Sequence, residues 1–160
     1  MFSGCSGLTS LDLSPLDTQN VTDMSAVFRD CSGLTSLDLS PLDTQNVTDM
    51  SWIFYGCSGL TSLDLSPLDT QNVTSMYQML NGCASIRSLD LSPLDTQKVT
   101  NMNWMFSSCR TLTSLATGTN FKFVGTSYDL SGTWQNTAGE TFTSGKFPSN
   151  VADTYTKISS

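Results

Sequence analysis

The chain has 160 residues, 38% hydrophobic and 13% charged, with five cysteines, no histidine and a net charge of −7. That leaves too little charge for a disordered chain and no apolar run long enough for a membrane helix. The acidic balance argues against nucleic acid, whose phosphates need Lys and Arg, and against insertion at an anionic membrane; a basic protein or a divalent cation suits it better.

Met1-Phe2-Ser3-Gly4-Cys5 matches Ile53-Phe54-Tyr55-Gly56-Cys57, so the chain opens inside a unit and reads as a piece of something longer. Cys5, Cys31, Cys57, Cys83 and Cys109 stand 26 residues apart. Pro15, Pro41, Pro67 and Pro93 keep the same spacing, as do Met24, Met50, Met76 and Met102. A fixed period of this length marks a stack in which each unit meets only its neighbours. Such arrays are usually binding surfaces or spacers, so the period argues against an enzyme.

Within one unit, Leu11 and Leu13 alternate with Ser10, Asp12 and Ser14, the period of two of a half-buried strand. Pro15 ends it, and Asp17 and Thr18 form a turn. Met24, Val27, Phe28 and Cys31 fall at i, i+3, i+4 and i+7, which predicts a short helix. Thr22 or Asp23 would cap it and Gly33 would end it. Strands pair at about 4.8 Å and helices pack at roughly 8–10 Å, so strand-plus-helix units should stack into a curved, right-handed α/β solenoid over residues 1–117.

The period fails after Leu115. Residues 118–160 turn to Thr, Ser, Gly and aromatics and predict a β-rich C-terminal cap, with Trp134 as its anchor and carbohydrate binding as the alternative use of its aromatics. The cap is neutral, with three acids and three lysines; residues 1–117 hold eleven acids and four bases and so carry all the net charge. No cap precedes the first unit, so that edge is open to pairing, and the expectation is either that more repeats lie upstream or that this piece self-associates through that face.

Leu8-x-x-Leu11-x-Leu13, with the longer string Asn-Val-Thr-Asp-Met-Ser-x-x-Phe-x-x-Cys-Ser-Gly-Leu, resembles the BspA-like family of bacterial surface leucine-rich repeats over residues 1 to about 117. The tail is similar to the module that often closes such arrays. The resemblance implies a secreted or cell-surface protein that meets a protein or glycan partner in adhesion.

Three sets of side chains could carry chemistry. The cysteines are a poor disulfide framework and have no histidine partner, so they read as small buried hydrophobes. Asp12, Asp38, Asp64 and Asp90 lie between strand leucines and would form an exposed carboxylate row about 5 Å apart. Three readings stay open for that row: simple solvation by flanking serines, a calcium site, or a seat for a basic partner. A second row, Asp17, Asp43, Asp69 and Asp95, reads as turn caps. Trp52 and Tyr55, three apart on the predicted helix, should share one exposed patch, with Trp104 in the same column as Trp52. Lateral packing between units is the competing reading for these aromatics. The leading function is a non-enzymatic adhesive or ligand-binding module needing no cofactor. The alternative is a structural spacer or engineered scaffold with no ligand of its own.

Overall fold

The computed structural model describes all 160 residues. It contains no helix. Its strands are β1 (Ser88–Asp90), β2 (Ser114–Thr117), β3 (Thr133–Gln135), β4 (Thr141–Phe142) and β5 (Asp153–Ser159). They form one mixed sheet in the order β1-β2-β5-β3-β4. β1 and β2 run parallel, with Ser88 opposite Ser114, and the remaining pairs are antiparallel. The expected α/β leucine-rich solenoid is therefore corrected to a helix-free β architecture. The curvature argument falls with it, because no helix layer is present to splay the units.

The helix fails for a reason written in the backbone. Ala26, Trp52, Gln78 and Trp104 all sit at φ between 52° and 57°. Four residues on, Asp30, Gly56, Gly82 and Ser108 are left-handed too, as is Gly4 in the same repeat column. A right-handed helix tolerates neither position. Each amide bond also has a different destination from a helix. Met24, Ala26, Phe28 and Asp30 donate N–H to the carbonyls of Asp49, Ser51, Ile53 and Tyr55 at 2.6–3.0 Å. The intervening amides of Arg29 and Cys31 close tight turns on Ala26 and Phe28. Every second amide thus bonds the next unit, and the same pattern recurs from residues 50–56 to 75–81 and from 76–82 to 101–107. The result is a run of turns stapled sideways, with isolated parallel bridges joining Asp23, Asp49, Ser75 and Asn101.

Burial follows the apolar spacing even though conformation does not. Met24, Phe28 and Cys31 face inward, as do their equivalents, within one core of 40 buried residues. Phe2, Phe28 and Phe54 stack face to face at 6.0 and 5.8 Å. The leucine segments of the first three units lie in the core without forming strands; only the last two, β1 and β2, pair as strands, next to β5.

The stack also runs past residue 117. Thr96 donates its N–H to Asn120, Trp104 to Ser127 and Phe106 to Tyr128. Residues 118–130 therefore form one more, shortened turn whose period is lost from the sequence. The sheet then folds over it, with Trp134 buried and its indole N–H on the Ser131 carbonyl at 3.0 Å.

Candidate functional site

The cysteines form a buried ladder. Cys31, Cys57, Cys83 and Cys109 each direct Sγ at the carbonyl of the residue 29 positions earlier, Phe2, Phe28, Phe54 and Leu80, at 3.0–3.2 Å. Phe28 and Phe54 carbonyls also accept a turn amide from Cys31 and Cys57, so both lone pairs are engaged. All five thiols are free. Burial pushes the Cys57 and Cys109 thiols up to about 12 and drives Cys83 well above the ordinary range. A thiol held protonated is a poor nucleophile and a poor metal ligand. These side chains join units together.

The first carboxylate row closes its own turns. Asp12, Asp38, Asp64 and Asp90 accept the N–H of Ser14, Ser40, Ser66 and Ser92, each at 2.9 Å. The Ser14 and Ser66 hydroxyls, then their amides, hold Asp12 and Asp64 below the usual carboxylate range; for Asp38 the Ser40 amide leads. The row is exposed, and no three acidic or thiol side chains converge closely enough to hold an ion. Each carboxylate therefore faces its own backbone, not a shared point.

In the second row, Asp17, Asp43, Asp69 and Asp95 accept the amides of Gln19, Gln45, Gln71 and Gln97 at 3.0–3.2 Å. The neighbouring threonines form a site that spacing alone did not disclose. Thr18, Thr44 and Thr70 are buried; each hydroxyl donates to the carbonyl of Asp43, Asp69 or Asp95 at 2.9–3.0 Å. Each also accepts that aspartate's amide at 2.8 Å. Thr96 repeats the clamp on Lys122. The legible signal was an invariant Asp-Thr pair at a buried corner, where a hydroxyl serves as both donor and acceptor.

The aromatics are rearranged relative to the helical expectation. Trp52 does not pair with Tyr55. It meets Tyr77 edge to face at 5.0 Å, and Tyr77 meets Trp104 at 5.6 Å. The Trp52 indole N–H donates to Gln78 Oε1 at 2.6 Å. Tyr55 lies instead under the Arg29 guanidinium, 5.1 Å from its ring centre. The left-handed backbone at Trp52 turns it away from the position that a helix would assign. Tyr77, not singled out from the sequence, bridges the two tryptophans. Trp104 is 46% exposed, so the strip Trp52–Tyr77–Trp104 opens to solvent. The cap's aromatics do the opposite: Phe123, Tyr128, Trp134, Phe147 and Tyr155 are buried, with Phe147 at the centre of the packing. That removes the carbohydrate-binding alternative for them.

A family model described as "Mycoplasma protein of unknown function, DUF285" matches residues 1–121. The chain belongs to the DUF285 family. This match, together with the helix-free fold, overturns the BspA-like leucine-rich resemblance, whose strand-plus-helix unit is absent. The matched span covers the four regular units of the DUF285 chain and reaches into the shortened turn at 118–130. No curated protein and no solved structure matches the chain.

Proposed function

We propose that this DUF285 chain acts without catalysis as a ligand-binding module whose contact surface is the Trp52–Tyr77–Trp104 strip. The observation that carries this reading is the strip itself: three aromatic rings, held edge to face by neighbouring units, with the outermost open to water. Rigid exposed aromatics lose little entropy on docking and recur at binding hot spots. The inert thiols and self-engaged carboxylates supply no nucleophile and no base beside it. A protein or glycan partner fits such a surface. The adhesive, cell-surface setting rested on the overturned resemblance and loses that support.

The test uses immobilised glycans and extracellular matrix proteins as probes, with Trp104→Ala, Trp52→Ala and Asp64→Asn beside the unaltered chain. The tryptophan variants should lose about tenfold or more in capture, the size of one hot-spot truncation, while Asp64→Asn retains it. Equal capture by all four would overturn the reading. A spacer role is the second reading, favoured by the carboxylate rows' engagement in their own turns; no capture by any probe is its expected result.

A further inference from the structure

The face that carries the aromatic strip is the uncharged face of an acidic array. Segments 49–55, 75–81 and 101–107 hold one carboxylate, Asp49, and no Lys or Arg. Asp49 is already committed to the Ser51 N–H at 2.7 Å. The matching positions of the first unit include Asp23 and Arg29, so charge disappears where Trp52, Tyr77 and Trp104 enter. A charged partner gains nothing from such a window, because docking of charged surfaces relies on complementary charge. The side-chain amides here are also unspent. Elsewhere Gln45 and Gln71 donate to Asp43 and Asp69, and Asn46 and Asn72 donate to the Gln19 and Gln45 carbonyls. Gln78 engages only its oxygen, which accepts the Trp52 indole N–H at 2.6 Å. That bond fixes the amide and leaves its NH₂ group free to donate. Asn103 is exposed, and its oxygen lies 3.9 Å from where a Cβ on Gly125 would stand, so no neighbouring side chain covers it there.

The rings form a ridge. Tyr77 meets Trp52 and Trp104 at interplanar angles of 87° and 67°, with ring centres 5.0 and 5.6 Å apart. Rings in contact leave no hollow for a trimethylammonium group, so the strip is not an aromatic cage. Trp52 and Trp104 share a column two units apart, roughly 10 Å at about 4.8 Å per hydrogen-bonded unit. That is close to the disaccharide repeat of an extended β-1,4-linked sugar chain. Small residues bound the ridge: Ala26 precedes Trp52 in its column, and the Trp104 N–H meets the Ser127 carbonyl at 2.6 Å. A ligand longer than the ridge can therefore run on along the stack.

We propose that the strip binds a neutral, extended β-1,4-linked polysaccharide lying along the stack. The weakly positive C–H groups of its sugar rings rest on the negative faces of Trp52 and Trp104. Alternate rings reach one tryptophan each. The hydroxyls between them accept from the Gln78 NH₂ group and exchange hydrogen bonds with the Asn103 amide. This assignment rests on the ligand-binding reading of the same strip and names the class of ligand.

The probes are hexasaccharides of β-1,4-linked glucose and of β-1,4-linked N-acetylglucosamine, titrated into the full chain by calorimetry and tryptophan fluorescence. At least one should bind with a Kd below about 1 mM, and its disaccharide about tenfold more weakly. Trp52→Ala and Trp104→Ala, checked for folding by circular dichroism, should each lose about tenfold. Gln78→Ala should lose about fivefold, the size of one hydrogen bond. Affinity should hold between low and high salt, since no charge is screened. The α-1,4-linked glucose hexamer, which curls off the stack axis, and a sulfated hexasaccharide should bind about tenfold more weakly or not at all. No heat from either β-1,4 hexamer at millimolar concentration, equal affinity for the α-linked or sulfated chain, or indifference to both tryptophan variants would each overturn the proposal. Should Trp104→Ala still abolish capture of a matrix protein while both β-1,4 hexamers stay silent, the ligand-binding reading stands and the sugar assignment alone falls. Capture and sugar binding both unmoved by Trp104→Ala would sink the two together.

Discussion

The repeating stack and the C-terminal sheet hold themselves together by different means. In the stack, rows of identical side chains fill the core and amides bond sideways to carbonyls about 25 residues away. In the sheet, antiparallel ladders bring β5 against both β2 and β3, and the core is a set of single aromatics with no repeat. Stability in the stack should be close to a sum of seams between nearest neighbours. In the sheet, Phe147 touches five other rings, so one truncation should be felt throughout. The contrast shows two ways to end exposed edges: repetition defers the edge to the next unit, and a closing strand removes it.

The most severe break of this contrast is Trp134→Ala. A buried indole lost from the non-repeating core should cost about 3–5 kcal/mol, and denaturant unfolding should lose its single transition as the sheet melts ahead of the stack. A shift of the whole curve with no change of shape would show that the two regions unfold as one.

Within the stack, Thr70→Val keeps the shape and removes the clamp. The Asp95 N–H and C=O then both lose a buried partner, at a cost of about 2–4 kcal/mol by chemical denaturation. The same change at Thr18 should cost as much, if seams are equivalent.

Gly59 sharpens the point further. A Cβ there would press on the carbonyls of Ser32 and Leu34. In the equivalent column Thr111 donates its hydroxyl to Ala84 and Ile86 at 2.9 and 2.8 Å. Gly59→Ala should therefore destabilise by about 1–2 kcal/mol, and Gly59→Thr should recover part of the loss; thermal melts of both check it.

The thiol ladder predicts a pH effect confined to the stack. Cys57 and Cys109 lie at about 12 when folded against 9.0 for an ordinary thiol. The folded state holds those protons longer, so stability is full below about pH 9 and falls as pH rises towards 12. Urea midpoints measured between pH 8 and 11 should decline accordingly, and at pH 8 a disulfide reagent should label only the half-buried Cys5 before unfolding.

The smallest change concerns the sheet. The Tyr155 hydroxyl is buried without a hydrogen-bond partner, while the neighbouring Thr117 hydroxyl donates to the Val151 carbonyl at 2.7 Å. Tyr155→Phe should leave the melting temperature unchanged or raise it, by up to about 1 kcal/mol in stability.

The 26-residue register, the inward rows of Met, Phe and Cys, and the turn-closing aspartates were all legible in the sequence, because they depend on side-chain type and local spacing. The Gly4, Gly56 and Gly82 column was a readable warning against a helix, since glycine there answers a left-handed backbone. Conformation between those fixed points was not legible. Apolar residues at i, i+3, i+4 and i+7 line one face of a helix and equally one face of a succession of tight turns. Which of the two forms depends on where the amides bond, and here their acceptors lie a whole unit away. The Trp52–Tyr77–Trp104 strip follows from the same long-range bonding. Composition and period thus decided what is buried and how often. Only the stacking of one unit on another decided the backbone, because a hydrogen bond to the next unit competes with, and here replaces, the bond that would have made a helix.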